Sequence, residues 1–438
     1  MVTDPKGPMP SSTTWRAPYA ERPVHGTVRV PGSKSLTNRY LVLAALADGR
    51  CVVRYPLISR DTTLMRAALE QLGVRFTVTD DDTTWLIDPP AHFSTGQQID
   101  AGLAGTVMRF LPPLAALGHG EITFDGDDVA RTRPMGPLVH ALRDLGVTVD
   151  SESADQPTLP LTVRGTGSVD RHEASIDASA SSQFVSALLL TGARFAGGLT
   201  LSHVGAGLPS RPHIEMTLHT LDQAGVDASE TEPGVWRVEP GPVTAFDVTV
   251  EPDLSSAAPF LALAAVSGGT ITVPDWPLQT TQAGDAMRDV LTQMGADISH
   301  TANGLQIHGP TRGSLRGIDV DLHDVGELTP VIAAVAASAT SASRLRGVGH
   351  LRGHETDRLA ALEAELSRLG ARVTQHDDGL SITPSALRGA ELRTYGDHRM
   401  AMAAAVLGAA VPGVHVIDVE TTAKTYPGFA DVWSALVA

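Results

Sequence analysis

A phrase made of an amphipathic helix, a Leu/Ala/Met-Gly pair and a short strand recurs five times along the chain: ALEQLGVRF, ALRDLGVTV, TLDQAGVDA, VLTQMGADI and ELSRLGARV. Its glycines, Gly73, Gly146, Gly225, Gly295 and Gly370, stand where a helix would end on a left-handed residue before a strand begins. A second phrase recurs six times, as a polar turn, an Ala- and Leu-rich helix, a Gly-containing turn and a β-branched strand. Its helices start near Ser35, Gly105, Ser181, Ser255, Glu327 and Asp397. Units spaced 70 to 79 residues apart are too long for a simple solenoid and point to an α/β fold of two three-unit domains. Small residues on every side of the six helices predict that they are central and buried, not surface helices. The boundary between the third and fourth units falls near Thr249–Pro252. Before the first unit, TVRVPGSK reads as a strand entering a turn, able to pair with either half.

The interior is built from small and aliphatic side chains, since 42% of the chain is hydrophobic but only 4% aromatic. One cysteine, Cys51, excludes an internal disulfide framework and a Cys-based zinc cluster. A net charge of −16 with no basic face speaks against nucleic acid as a partner. Apolar runs such as Val331–Ala339 are too short to span a membrane, and residues 1–14 read as a loose polar tail without a secretory signal. A cytoplasmic enzyme is expected.

Of the 33 basic residues only three are lysines: Lys6 in the tail, Lys34 and Lys424. Lysine is a compact charge whose pKa shifts on burial, whereas arginine is a permanently protonated planar fork. Two lysines in an arginine-using chain are candidates for a role that Arg cannot fill.

Helix N-termini attract anions, because their N–H groups lack partners and carry partial positive charge. The first of the six starts reads Pro31-Gly32-Ser33-Lys34-Ser35…Arg39. The second has a Cβ-free Gly105 where a ligand could approach the backbone. The third offers Ser181, Ser182 and Gln183. The fourth, around Ser255, reads as ordinary capping. The fifth carries Glu327 and the sixth Asp397-His398-Arg399. With Arg133, Arg358, Lys424 and Glu355 added from further polar segments, the inventory suits a substrate pair carrying two phosphates and two carboxylates.

Taken in order, Pro-Gly-Ser-Lys-Ser…Asn-Arg, Ala-Gly-Thr-Val-Met-Arg, Arg-Thr-Arg-Pro, Ser-Ser-Gln-Phe, Glu-Thr-Asp-Arg, Asp-His-Arg-Met-Ala-Met and Ala-Lys-Thr-Tyr-Pro resemble the signature segments of the 5-enolpyruvylshikimate-3-phosphate synthases, over residues 31–428. The resemblance implies two domains, each of three βαβαββ units with buried parallel helices, an inside-out α/β barrel of the enolpyruvyl transferase type. It places residues 1–31 with 250–438 in one domain and 32–249 in the other, with the active site in the cleft between them. It also implies transfer of the enolpyruvyl group of phosphoenolpyruvate to the 5-hydroxyl of shikimate 3-phosphate, through a tetrahedral intermediate, on the route to chorismate and aromatic amino acids. No cofactor or metal is implied, and a monomer is expected.

Carried over by motif, Lys34, Gly105, Arg133, Gln183, Arg358, Arg399 and Lys424 hold phosphoenolpyruvate. Lys34, Ser35, Arg39, Ser181, Ser182, Gln183, Ser210, Glu327 and His354 hold shikimate 3-phosphate. Glu327 is the implied base and Glu355 the implied acid, with Lys34 assisting. The sequence departs from the family's usual residues at Glu327 (commonly Asp), His354 (often Lys), His350 (an Asn), His213 (often Tyr) and Leu103 (an Asn). Gly105 leaves room for a phosphoenolpyruvate mimic, so glyphosate sensitivity is expected, with Leu103 as the changed neighbour. Two rivals stand beside this reading: a sister transferase acting on a UDP-sugar, which normally uses a loop cysteine as its acid, and a non-catalytic anion-binding relative.

Overall fold

The computed structural model describes residues 13–79, 81–153, 155–353 and 355–438. The repeated phrases become repeated structure. All five phrase-ending glycines adopt left-handed backbone, with φ from 71° at Gly225 to 111° at Gly295, a conformation that a Cβ would disfavour. Each follows an outer helix: Arg60–Gln71, Gly136–Asp144, Pro212–Gln223, Met287–Met294 and Arg358–Arg368.

The six Ala- and Leu-rich helices are Lys34–Leu46, Gly105–Ala115, Gln183–Gly192, Leu254–Ser267, Thr329–Ala337 and His398–Ala410. Those starting at Gly105, Leu254 and Thr329 are buried at every residue, and the other three at nearly every one. Full burial of an aliphatic side chain is worth about 1.5–3 kcal/mol, so these helices are held by packing on all sides. Among the described residues the strands form six small open sheets, five of four strands and one of three, and none closes into a barrel.

The chain separates into two compact units. Among the described residues, one comprises 13–30, Leu254–Trp276 and Gly284–Ala438; the other comprises Pro31–Asp253 and Pro277–Ala283. Within each, three buried helices pack on one another and against their own sheets. Two crossings of the chain exchange a strand. His25–Thr27, just before the first buried helix, pairs in parallel with Thr270–Val273, which follows the fourth. Asp247–Thr249, just before the fourth helix, pairs in parallel with Cys51–Arg54, which follows the first. TVRVPGSK therefore lends its upstream strand to the sheet of the fourth unit. The sixth sheet is completed by the start of the chain, where Thr14–Arg16 runs antiparallel to His415–Ile417.

Among the described residues, no helix is long and apolar enough to cross a membrane.

Candidate active site

In the unit spanning Pro31–Asp253, Lys34 opens the first buried helix. Its backbone N–H donates to Asp253 Oδ2 at 3.2 Å and its ammonium to the buried Asp61 at 3.3 Å. Ser33 caps the same end, accepting from the Leu36 N–H at 3.4 Å. Arg39 lies one turn on, only 2% exposed. Its guanidinium donates to Thr217 Oγ1, the Ser35 carbonyl, Ser186 Oγ and the His213 carbonyl, and faces the Phe110 ring. Arg39 thus ties together three helices from inside.

The second buried helix begins at Gly105 with no side-chain cap, because Ala104 occupies the capping position. A Cβ at Gly105 would stand 3.1 Å from both terminal nitrogens of Arg133 and 3.4 Å from Gln183 Oε1. Three residues expected to hold phosphoenolpyruvate are thus brought together at one helix end. A fourth group joins them: Arg109 Nη1 donates to Gln183 Oε1 at 2.6 Å, and its guanidinium stacks on Phe184 at 4.9 Å. Ser181 Oγ accepts from the Gln183 N–H at 3.3 Å, and Ser182 beside it is buried. Ser210 takes a left-handed φ of 55°, a strained backbone for a serine, directly ahead of the helix Pro212–Gln223. His213 contributes its carbonyl to the Arg39 bracing network.

In the other unit, Glu327 sits in the tight turn His323–Leu328 that leads into the fifth buried helix. It accepts from Ser255 Oγ at 2.5 Å. Ser255 lies inside the first turn of the fourth helix, and its hydroxyl orients the carboxylate. His350 packs so closely on the Glu327 turn that a Cβ at Gly326 would stand 2.7 Å from its Nε2. Burial foremost, with His323 and Arg358 next, pushes its pKa down to about 4, so the ring is neutral near pH 7.

Glu355 is the centre of a second cluster. Lys424 donates to its Oε1 at 2.5 Å, and His398 Nδ1 lies 3.2 Å from its Oε2. Burial raises this carboxyl, but His398, Lys424 and Arg358 outweigh it and hold Glu355 well below the usual carboxylate range. Arg358 grips the fully buried Asp397 through two bonds, at 2.7 and 3.3 Å. Burial lowers Arg358 and Asp397 raises it, for a net rise. Asp397 also caps the sixth buried helix through the Arg399 N–H at 2.9 Å. His354 lies outside the described residues.

Glu355, Asp397 and His398 present ligand atoms within 4.8 Å of one another, close enough for a metal ion. Such an ion would have to displace the Lys424–Glu355 and Arg358–Asp397 pairs, so the donor set is already matched to cations of the protein itself.

The chain matches the EPSP synthase family, 3-phosphoshikimate 1-carboxyvinyltransferase, over residues 18–433. It belongs to that family. A 3-phosphoshikimate 1-carboxyvinyltransferase of Kocuria rhizophila is 55% identical over 432 residues, covering 97% of this chain and 96% of the relative. One of Mycobacterium ulcerans is 51% identical over 435 residues, covering 98% and 99%. The fold is similar to that of an EPSP synthase of Acinetobacter baumannii, with a TM-score of 0.82 at 23% identity over 97% of this chain and 98% of that one. It is also similar to the enolpyruvyl transferase NikO of Streptomyces tendae, with a TM-score of 0.74 at 19% identity over 95% and 96%.

In this EPSP synthase family member, four groups carry no role that residue type alone points to. Arg109 stands inside the Ala-Gly-Thr-Val-Met-Arg segment with nothing to mark it out. The segment around Ser255 has the composition of ordinary capping. Asp61 carries no sequence signal, because its partner Lys34 belongs to another helix. Asp397 reads locally as part of a helix start, and its pairing with Arg358 spans 39 residues.

Proposed function

We propose that this chain transfers the enolpyruvyl group of phosphoenolpyruvate to the 5-hydroxyl of shikimate 3-phosphate and releases phosphate, as a cytoplasmic monomer of the shikimate pathway. What carries the reading is the 51–55% identity, over nearly the whole chain, to two relatives named for that reaction. The site geometry supports it. Each unit gathers its cationic side chains at helix starts, where backbone N–H groups add to the attraction for anions.

On this reading Gly105, Arg133 and Gln183 from one unit, and Arg358, Arg399 and Lys424 from the other, act on the same phosphoenolpyruvate, together with Lys34. Lys34, Ser35, Arg39, Ser181, Ser182, Gln183, Ser210, Glu327 and His354 act on shikimate 3-phosphate. Glu327, already a hydrogen-bond acceptor from Ser255, takes the 5-hydroxyl proton as that oxygen attacks C2. Glu355 protonates the methylene carbon. To do so it must first take up a proton from solvent, because His398, Lys424 and Arg358 hold it ionised. Phosphate arriving at Lys424 would draw that ammonium away from Glu355. One of the three cations that lower Glu355 would then be gone, so burial would count for more and shift the carboxyl upward, towards the acid the step needs. The tetrahedral adduct then loses phosphate, with Arg and Lys balancing the charge on the leaving group.

Cys51 speaks against the UDP-sugar reading. It is fully buried on the strand Cys51–Arg54, and burial pushes its thiol up to about 11, unlike an acid on an open loop. The test is phosphate release and product mass with phosphoenolpyruvate and either shikimate 3-phosphate or a UDP-sugar. Turnover with shikimate 3-phosphate alone is expected. Turnover with the UDP-sugar, or with neither acceptor, would overturn the reading.

A further inference from the structure

Arg109 has an environment unlike that of the other buried arginines around the two clusters. Arg39 is enclosed by four hydrogen-bond acceptors, and Arg358 by the carboxylate of Asp397. Arg109 is only 6% exposed, yet among the described residues no carboxylate pairs with it. Its hydrogen bond goes to the neutral Gln183 Oε1 at 2.6 Å, and its Nε is buried without a partner. Its stacking on Phe184 supplies packing but no counter-charge. Burial foremost, with the cation Arg133 next, pushes the guanidinium's pKa well down. Both arginines stand beside the uncapped N-terminus of the Gly105–Ala115 helix, which adds further positive potential. Burying a charge this way is costly unless something balances it.

The hydrogen bond to Gln183 has a second effect. An amide side chain can present either its oxygen or its NH₂ group to a ligand. With Oε1 committed to Arg109, Gln183 is fixed in one orientation, and its Nε2 becomes the donor available for an anion. We propose that Arg109 is a further positioning residue of the anion site, locking the Gln183 amide as a donor and supplying a buried positive charge that a bound small anion balances. The inference rests on the functional reading above for the identity of that anion, phosphoenolpyruvate, but not for its charge.

Two experiments test it. In steady-state kinetics, Arg109→Met should raise KM for phosphoenolpyruvate about 10–100-fold, the loss expected for a charge-assisted bond. KM for shikimate 3-phosphate should stay within about twofold, because a local loss of anion binding is not shared by the second substrate. Arg109→Lys, which keeps the charge but not the fork that reaches Gln183, should fall between. The second experiment needs no turnover. Inorganic phosphate should raise the melting temperature of the wild-type protein, and raise that of Arg109→Met by clearly less. Ligand-free Arg109→Met should melt no lower than wild type, since an unbalanced buried charge has been removed. A residue serving only the fold would give the opposite: a lower melting temperature and an unchanged phosphate response.

An unchanged KM for phosphoenolpyruvate in both variants, an undiminished phosphate response in Arg109→Met, or failure of Arg109→Met to fold would overturn the proposal. If the wild-type enzyme fails to use phosphoenolpyruvate with shikimate 3-phosphate, the functional reading falls. The phosphate melting experiment then still decides the role of Arg109.

Discussion

Removing the Asp397 carboxylate should expose how the site is held together. Asp397 and Arg358 are 0% and 3% exposed, and the pair is joined by bonds of 2.7 and 3.3 Å. Deleting one partner of a buried ion pair leaves the other charge stranded, at a cost of about 3–5 kcal/mol. The same carboxylate caps the His398–Ala410 helix through the Arg399 N–H, and losing a cap costs about 1 kcal/mol more. Asp397→Ala should therefore destabilise its unit by about 4–6 kcal/mol, against a typical domain stability of about 5–15 kcal/mol. Asp397→Asn keeps the shape and an acceptor for the cap, so it should cost less. In Arg358→Met/Asp397→Leu no stranded charge remains, and most of the stability should return even though the anion site is lost. Urea unfolding reports the difference if it is followed through Trp433, which is fully buried in this unit. A loss within about 1 kcal/mol of zero for Asp397→Ala would refute the reasoning, since no buried pair breaks that cheaply.

Lys34→Arg and Lys424→Arg should fold yet lose about 10²–10³ in turnover, because a bulkier planar cation cannot replace an ammonium packed against Asp61 or Glu355; near-normal rates would refute this. Gly105→Ala sets a methyl 3.1 Å from Arg133, so the KM for phosphoenolpyruvate and the inhibition constant of a phosphonate mimic such as glyphosate should both rise; if neither moves, Gly105 serves only the turn. Ser255→Ala should lower kcat about tenfold with KM for shikimate 3-phosphate little changed, because it unfastens Glu327 without removing it. Stability should fall on acidification. Glu355 and Asp397 both sit below their ordinary range when folded, so their contribution is full above about pH 4.5 and lost as the pH drops through their folded values. His350, lowered to about 4, adds a loss of the same sign that begins near its ordinary 6.5, because the unfolded chain takes that proton first. Urea midpoints from pH 7.5 down to about pH 2.5 check this, the His350 loss at the upper end and the carboxylate loss at the lower, and midpoints that do not move would refute it.

The regular spacing of apolar residues and glycines was enough to determine the repeating units. A helix buried on every side needs small and aliphatic residues all round, and a left-handed helix end needs glycine, so both leave a local imprint. The sequence also marked Gly105, Arg133 and Gln183, and those three do meet at one helix end. Other features depended on partners far apart in the chain, and no local pattern records a distant partner. The exchange of His25–Thr27 and Asp247–Thr249 between sheets is one such feature, and the completion of the last sheet by Thr14–Arg16 is another. So are the hold of Ser255 on Glu327 and the enclosure of Arg39 by four acceptors. The charge state of Glu355 was decided only in three dimensions, because it is a contest between burial and three cations, and burial and proximity are properties of the folded chain.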